Sequence, residues 1–149
     1  MRVLAVVAIA ALAAVGACSA PSQLIVEAAS NSGEPLRRIV VETQDEYATA
    51  MKLVQPGDMI VLANGTWRDF DLVLEAEGSA EHPIYLVAEE PGKVVLSGQS
   101  SLRMGGRHLI VSGLVFRDGY TPRNEVISFR RDSDTLAFNS RVTRTVIEN

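Results

Sequence analysis

Arginines are concentrated in the last third of the chain, and their chemistry suits the binding of anions. Residues 1–100 hold 6 Lys/Arg against 13 Asp/Glu, whereas residues 101–149 hold 8 Arg against 5 Asp/Glu. A guanidinium group forms paired hydrogen bonds with carboxylates and sulfates. The candidates for binding an anionic glycan are Arg117, Arg123, Arg130 and Arg131. The alternative is a set of solvated arginines that pair with local carboxylates, and the sequence leaves both open.

Acidic and imidazole side chains are the candidates for metal binding and acid–base catalysis. An acidic cluster comprises Asp69, Asp71, Glu75, Glu77 and Glu81. Its acids alternate with apolar residues, which is typical of the outer face of a half-buried strand. His82 and His108, the only histidines, have no second His or Cys at ligand spacing. We therefore predict no catalytic and no metal-binding residue within this chain.

The N-terminal residues predict export and lipidation. Arg2 is followed by an apolar run over residues 3–15 and then by Gly16, Ala17 and Cys18. A membrane span needs about 20 apolar residues, whereas this run is shorter and ends in small residues suited to a signal peptidase. Residues 1–17 are therefore predicted as a lipoprotein signal peptide, with Cys18 as the lipidated first residue of the mature protein. The alternative is a chance cysteine in an ordinary secretory signal.

The segment 18–36 is predicted as a tether between the membrane and the folded domain. It contains Ser, Asn, Gly and two Pro residues among scattered apolar residues. The expected location is the bacterial membrane, on the periplasmic side or at the cell surface, through the lipid anchor. Nucleic acid is not expected as a partner, because the chain is exported, its pI is 5.2 and few aromatic residues are present for base stacking.

Short apolar runs separated by turn residues predict strands from residue 37 onward. Apolar triplets centred on Val61, Leu86, Val111 and Leu136 are spaced by 25 residues. A repeat in this range indicates stacked coils. The pattern predicts an all-β fold, a right-handed parallel β-helix with three strands per coil, in which Val61, Leu86 and Val111 point into one interior. The alternative is an antiparallel sandwich, which the fixed period and the single strong hairpin signal, at residues 64–65, disfavour.

One helix is predicted before the strand series. Thr43 and Glu46 form a capping-box pattern, and Pro56 with Gly57 marks the end of the helical segment. The predicted helix covers residues 44–54 and caps the open end of the first coil with the apolar face of Tyr47, Met51 and Val54.

Three expectations concern individual positions along the coils. Trp67 is predicted to pack under a coil corner rather than to stack on a sugar, and Asn139 to join an internal ladder of stacked amides. The strand-like residues 145–147 stand at the end of the sequence. We therefore expect residues 37–149 to be the N-terminal coils of a longer β-helix, truncated here. The alternative is a short repeat protein that pairs this end with a partner chain.

Several segments carry a resemblance to a known family. Residues 52–67 read KLVQPGDMIVLANGTW, residues 82–119 read HPIYLVAEEPGKVVLSGQSSLRMGGRHLIVSGLVFRDG, and residues 139–149 read NSRVTRTVIEN. These segments resemble the opening coils of family-6 polysaccharide lyases, which include alginate lyases and chondroitinase B and have the pectate-lyase-like solenoid fold. The resemblance covers the chain after the tether, but only the first part of a family member.

The resemblance implies β-elimination in an acidic uronate polymer, alginate or chondroitin and dermatan. In the family, Ca²⁺ neutralises the sugar carboxylate, a Lys acts as general base and an Arg lies nearby. Those groups lie on later coils than this sequence reaches, so none is carried over to a residue here. The alternative function is a surface-anchored β-helix that binds acidic polysaccharide without cleaving it. A third hypothesis is a gene fragment without a stable product.

We predict that Cys18→Ala abolishes lipid attachment, because the thiol that receives the acyl groups is lost. The expected product is an unlipidated precursor or a soluble form. Incorporation of labelled fatty acid into the bacterial protein is the measurement. Labelling that persists in the Cys18→Ala variant would contradict the lipidation site.

Overall fold

The computed structural model describes residues 26–28, 35–121 and 125–148. These residues form one helix, α1 (Gln44–Leu53), and a series of mostly parallel strands. The strands are β1 (Val26–Ala28), β2 (Arg37–Val41), β3 (Asp58–Leu62), β4 (Gly65–Arg68), β5 (Asp71–Glu77), β6 (Ile84–Ala88), β7 (Val94–Gly98), β8 (Ser101–Arg107), β9 (Leu109–Ser112), β10 (Leu114–Gly119), β11 (Ile127–Ser128), β12 (Ala137–Phe138), β13 (Arg141–Thr143) and β14 (Val146–Ile147).

The strands belong to three sheets, and successive strands of the chain enter different sheets. Sheet A has the order β1-β2-β3-β6-β9-β13, sheet B the order β14-β10-β7-β4, and in sheet C strand β8 pairs with β5, β11 and β12. All these pairs are parallel except β1 with β2. Because each coil pairs its backbone with the coils above and below, the arrangement is consistent with a parallel β-helix.

The register of sheet A corrects one predicted core position. Ile60, Leu86 and Val111 are aligned in adjacent strands and are fully buried. Val61 is aligned with Val87 instead, so it lies on the opposite face of the pleated sheet. The prediction for Leu86 and Val111 is confirmed and that for Val61 is wrong, because the coil from Ile60 to Leu86 is 26 residues long, one more than the predicted repeat.

The predicted fourth repeat, centred on Leu136, is also wrong. Val142 occupies the place beside Val111 in sheet A, whereas Ala137 pairs with Gly106 in sheet C. The cause is the segment 129–136, which separates β11 from β12 and is closed by an antiparallel bridge between Arg130 and Leu136. This inserted segment, called the 129–136 loop below, lengthens the last coil.

The interior is filled by aliphatic side chains from all three sheets. The fully buried ones include Ile60, Leu62, Leu72, Leu74, Ile84, Leu86, Leu96, Leu102, Met104, Leu109 and Leu114. Each such side chain stabilises the fold by about 1.5–3 kcal/mol relative to an exposed position. Trp67 stacks on Phe70 at 5.3 Å between ring centroids and donates its indole N–H to the carbonyl of Ala63. The structure confirms that Trp67 packs under the corner.

Helix α1 begins and ends close to the predicted positions. The Thr43 hydroxyl accepts a hydrogen bond from the Glu46 amide at 3.2 Å, and the Glu46 carboxylate accepts one from the Glu42 amide at 2.8 Å. The first bond satisfies an amide of the first helical turn, which has no partner within the helix. The second joins that turn to Glu42, which directly follows β2. Tyr47 and Ala50 are buried against the core, and Met51 packs at its border. The Tyr47 hydroxyl donates to the carbonyl of Val73 in β5 at 2.8 Å.

Single residues with left-handed backbone conformation turn the chain between the sheets. Asp69, His108 and Asn139 have φ values of 52°, 53° and 51°, a region that residues other than glycine seldom adopt. His108 and Asn139 follow β8 and β12 at equivalent corners of sheet C. Asn139 is exposed, so its predicted place in an internal amide ladder is wrong, and the position equivalent to it in the preceding coil holds a histidine.

The predicted signal peptide, Cys18 and most of the predicted tether lie outside the described residues. Within the segment 18–36, Val26–Ala28 forms a strand that pairs with β2. Among the described residues, no helix has the length and hydropathy needed to cross a membrane.

We predict that Leu86→Asp unfolds the coils, because it places an unpaired carboxylate at a fully buried site. The expected loss exceeds about 4 kcal/mol, a large part of the 5–15 kcal/mol that stabilises a typical domain. Thermal unfolding followed by circular dichroism is the measurement.

The matched control is Val87→Asp, one residue along and on the opposite face of the same strand. Its expected loss is smaller because the new carboxylate reaches solvent. Equal melting temperatures for wild type and Leu86→Asp would overturn the register.

Candidate functional site

The exposed face of sheet C carries ion pairs that join successive coils. Arg103 in β8 donates to both carboxylate oxygens of Asp71 in β5, at 3.1 and 2.6 Å. Arg131 in the 129–136 loop reaches back to Glu75 at 2.5 Å. Arg107 lies 3.9 Å from Glu77 and its guanidinium covers the ring of Phe138 at 5.4 Å. Acids of β5 are therefore paired with arginines of β8 and of the 129–136 loop, which belong to the following two coils.

The conformation of the 129–136 loop is set by Asp132. One carboxylate oxygen of Asp132 accepts hydrogen bonds from the amides of Asp134 and Thr135 at 3.0 and 2.8 Å, which is an Asx-turn. The Arg131 guanidinium binds the other oxygen at 2.8 Å. The Asp134 amide, the Arg131 guanidinium and the Thr135 amide together lower the pKa of Asp132 from 3.8 to about 2. Asp132 is therefore ionised at neutral pH.

A shallow cleft of about 320 Å³ lies between this loop and β8. Its lining residues are Arg103, Glu125, Ser128, Arg130, Arg131, Asp132 and Ser133. Arg103 also donates to the carbonyl of Arg131 at 2.8 Å. One guanidinium group therefore binds both the Asp71 carboxylate and the backbone of the loop. A hydrogen bond from Ser128, followed by the charge of Arg130, lowers the pKa of Glu125. The cleft therefore holds ionised groups of both signs.

Of the predicted glycan-binding arginines that the structure describes, Arg130 and Arg131 share one cleft and Arg117 lines another. Arg130 and Arg131 line the cleft described above, and Arg130 lies 3.2 Å from the Glu125 carboxylate. Arg117 lies at the end of sheet B and donates to Glu148 at 2.6 Å. Arg123 lies outside the described residues. Each described candidate is thus paired with a local carboxylate.

The candidate acids and histidines lie in structural positions on strands, turns and corners. Among the described residues, no group of three or more His, Cys, Asp and Glu side chains could hold a metal ion. His108 turns a corner, and the amide of His82 donates to the Ser79 hydroxyl within a surface turn. A second cleft of about 260 Å³ is lined by Leu96, Phe116, Tyr120 and Ile147. Leu96 and Phe116 belong to the core, and the exposed pair Arg117 and Glu148 lines the same cleft.

Sequence reasoning missed the ion pair between Arg37 and Asp58. Asp58 is buried and accepts hydrogen bonds from the Arg37 Nε at 2.8 Å and the Gln55 amide at 2.7 Å. The hydrogen bond to Asp58 raises the pKa of Arg37. The only signal in the sequence was the turn at residues 56–58, in which an Asp follows Pro and Gly at the start of a strand.

Comparison with known proteins identifies the family. A family model described as Chondroitinase B matches residues 41–149. The chain belongs to the chondroitinase B family. No curated protein matches the chain.

Solved structures of family-6 polysaccharide lyases are similar to this member of the chondroitinase B family. The PL6 family alginate lyase AlyGC is 58% identical with a TM-score of 0.74, over 75% of this chain and 15% of the lyase. A mannuronic acid specific family-6 lyase from human gut microbiota is 31% identical with a TM-score of 0.64, over 74% and 26%.

A PL6 family polysaccharide lyase from Pseudopedobacter saltans is 32% identical with a TM-score of 0.64, over 72% of this chain and 24% of that protein. The chain therefore spans between about one seventh and one quarter of the length of these lyases. Its homologues are polysaccharide lyases, and the fold prediction of parallel coils agrees with them.

We predict that the 129–136 loop loosens between about pH 4 and pH 2. The folded pKa of Asp132 lies below its unfolded value of 3.8, so the stabilisation is present above that value and is lost as the pH falls toward 2. An NMR titration of the Asp132 carboxyl carbon and of the Thr135 amide should give midpoints near pH 2.

The Arg131→Ala variant should raise the pKa of Asp132 only in part, because the two backbone donors remain. A midpoint at the ordinary aspartate value in wild type would refute the Asx-turn. An unchanged midpoint in Arg131→Ala would show that Arg131 does not contribute.

Proposed function

We propose that the chain is the N-terminal part of a lyase that cleaves an acidic uronate polymer, alginate or chondroitin and dermatan, by calcium-assisted β-elimination. The observation that carries the proposal is the 58% identity to the alginate lyase AlyGC over three quarters of this chain. Chains with this identity have closely similar structures, so we infer that these coils belong to an enzyme of the same kind.

In the proposed reaction a base removes the C5 proton of the uronate and the bond at C4 breaks. The loss of this weakly acidic proton requires neutralisation of the neighbouring carboxylate, which a bound Ca²⁺ supplies. The described residues do not fit a calcium site, since no cluster of three acidic or imidazole ligands is present among them. On the family resemblance, we propose that the calcium ligands, the Lys base and the catalytic Arg lie on later coils of a longer protein.

In the proposed enzyme, this chain forms the first coils of the β-helix. We propose a right-handed coil, the hand of almost all parallel crossover connections. We further propose that α1 caps its N-terminal end. The Tyr47 hydroxyl and the Gln44 amide group bond the carbonyls of Val73 and Arg68, which lie in the edge strands β5 and β4. Edge carbonyls that are paired in this way do not recruit another chain.

Glycan binding by the candidate arginines is a separate part of the proposal. Each described candidate already has a carboxylate partner: Arg117 pairs with Glu148, Arg130 with Glu125 and Arg131 with Glu75. An anionic sugar would have to exchange with these carboxylates, which are exposed and exchange at low cost. Binding would therefore be weak and would decrease with salt.

Export and lipid anchoring at Cys18 are proposed on the sequence pattern of residues 1–18.

We predict that the 149-residue chain alone has no lyase activity on polymannuronate, polyguluronate or dermatan sulfate. The loss of a positioned base from such a site commonly lowers the rate by a factor of about 10²–10⁴. The measurement is the ultraviolet absorbance of the unsaturated uronate product, with and without calcium. AlyGC assayed on alginate is the positive control.

A longer protein that contains this chain should form unsaturated product and lose that activity when calcium is chelated. Calcium-dependent product from the 149-residue chain would place the catalytic groups among its own residues. Binding of the polymers without product by the longer protein would favour a non-catalytic binding protein instead.

A further inference from the structure

The corner between β3 and β4 contains the dipeptide Asn64–Gly65, which is chemically the least stable pair in the described coils. Glycine places no side chain beside its amide nitrogen, so this nitrogen can approach the side-chain amide carbon of a preceding asparagine. Asn64, Gly65 and Thr66 are all exposed to solvent. The corner is therefore open to water and hydroxide, the reagents of asparagine deamidation.

Four hydrogen bonds hold this corner against the turn at residues 89–93 of the next coil. The Asn64 side chain donates to the Glu90 carboxylate at 3.0 Å and accepts from the Glu90 amide at 3.1 Å. The Asn64 amide donates to the Glu89 carboxylate at 3.0 Å. The Gly65 amide donates to the carbonyl of Lys93 at 3.0 Å. Both reacting groups, the amide of Gly65 and the side chain of Asn64, are thus engaged.

We propose that Asn64 is a latent deamidation site, which the hydrogen bonds to Glu89, Glu90 and Lys93 keep closed in the folded chain. In the reaction the Gly65 nitrogen loses its proton to base and attacks Asn64 Cγ. The new C–N bond closes a succinimide ring, and the side-chain nitrogen leaves as ammonia. Water then opens the ring and gives aspartate or isoaspartate.

The geometry opposes each stage of the attack. A deprotonated Gly65 nitrogen would face the carbonyl oxygen of Lys93, which repels negative charge. The Asn64 amide group is held on both its oxygen and its nitrogen by Glu90, so it cannot turn freely into an attack position. Deamidation therefore requires local opening of the corner, and its rate measures the population of that open state.

Deamidation would weaken the hydrogen bonds that normally prevent it. Aspartate or isoaspartate at position 64 lacks the N–H donor that now binds the Glu90 carboxylate. It would instead place a third negative charge beside Glu89 and Glu90, and like charges at hydrogen-bonding distance repel. One deamidation event should therefore loosen the contact between the first two coils.

The test compares deamidation rates at residue 64 in mildly alkaline buffer, by mass spectrometry of the tryptic peptide 53–68. The folded wild-type chain should deamidate more than about tenfold more slowly than the same chain unfolded in urea. The double variant Glu89→Ala/Glu90→Ala should react severalfold faster than wild type while folded. The control Glu81→Ala, an exposed carboxylate on the 78–83 turn, should match wild type.

Asn64→Gln should remove the modified peptide and so assign the site. Equal rates in the folded and unfolded wild-type chain would overturn the proposal, and this comparison does not depend on whether the variants fold. A double variant that is folded by circular dichroism and reacts as slowly as wild type would overturn the protective role of Glu89 and Glu90.

Discussion

Stacking of the inward-facing aliphatic side chains in register is the constraint on which the other features of the coils depend. Ile60, Leu86 and Val111 form one such column in sheet A, and each lies above the residue with which its backbone pairs. A shift by one residue in any strand would turn its apolar side chains to solvent, because side chains alternate between the two faces. The surface ion pairs and the corners are built on coils that this column has already aligned.

The sequence repeat predicted the coils, the capping-box pattern predicted the helix, and alternation with apolar residues predicted the outward position of the acids. None of these patterns predicted the full register. Ile60 and Val61 are both apolar, so hydrophobicity alone does not distinguish the inward residue from its neighbour. The choice depends on the length of the connection at residues 78–83. Leu136 and Ala137 have the composition of a strand, and Ala137 does form one, but the 129–136 loop moves it to sheet C. Pattern reasoning could not detect this insertion.

The charged residues of the candidate site were recognisable individually but not as pairs. The sequence separates Arg103 from Asp71 by 32 residues and Arg131 from Glu75 by 56, so only the stacking of coils brings them together. The same stacking brings Arg103, Arg107 and Arg131 from the arginine-rich last third against acids of β5. Arg117 and Arg130 instead pair with Glu148 and Glu125, which belong to the same third of the sequence.

The 129–136 loop leaves the last coil of sheet C in two halves, each paired with the same continuous strand β8. Leu102 anchors β11 and Gly106 anchors β12, so the two ends of the loop are fixed independently of its length. Residues can therefore be added to or removed from this loop in evolution without shifting any coil. The loop is a natural position at which to graft a foreign peptide, since the register of the solenoid does not pass through it.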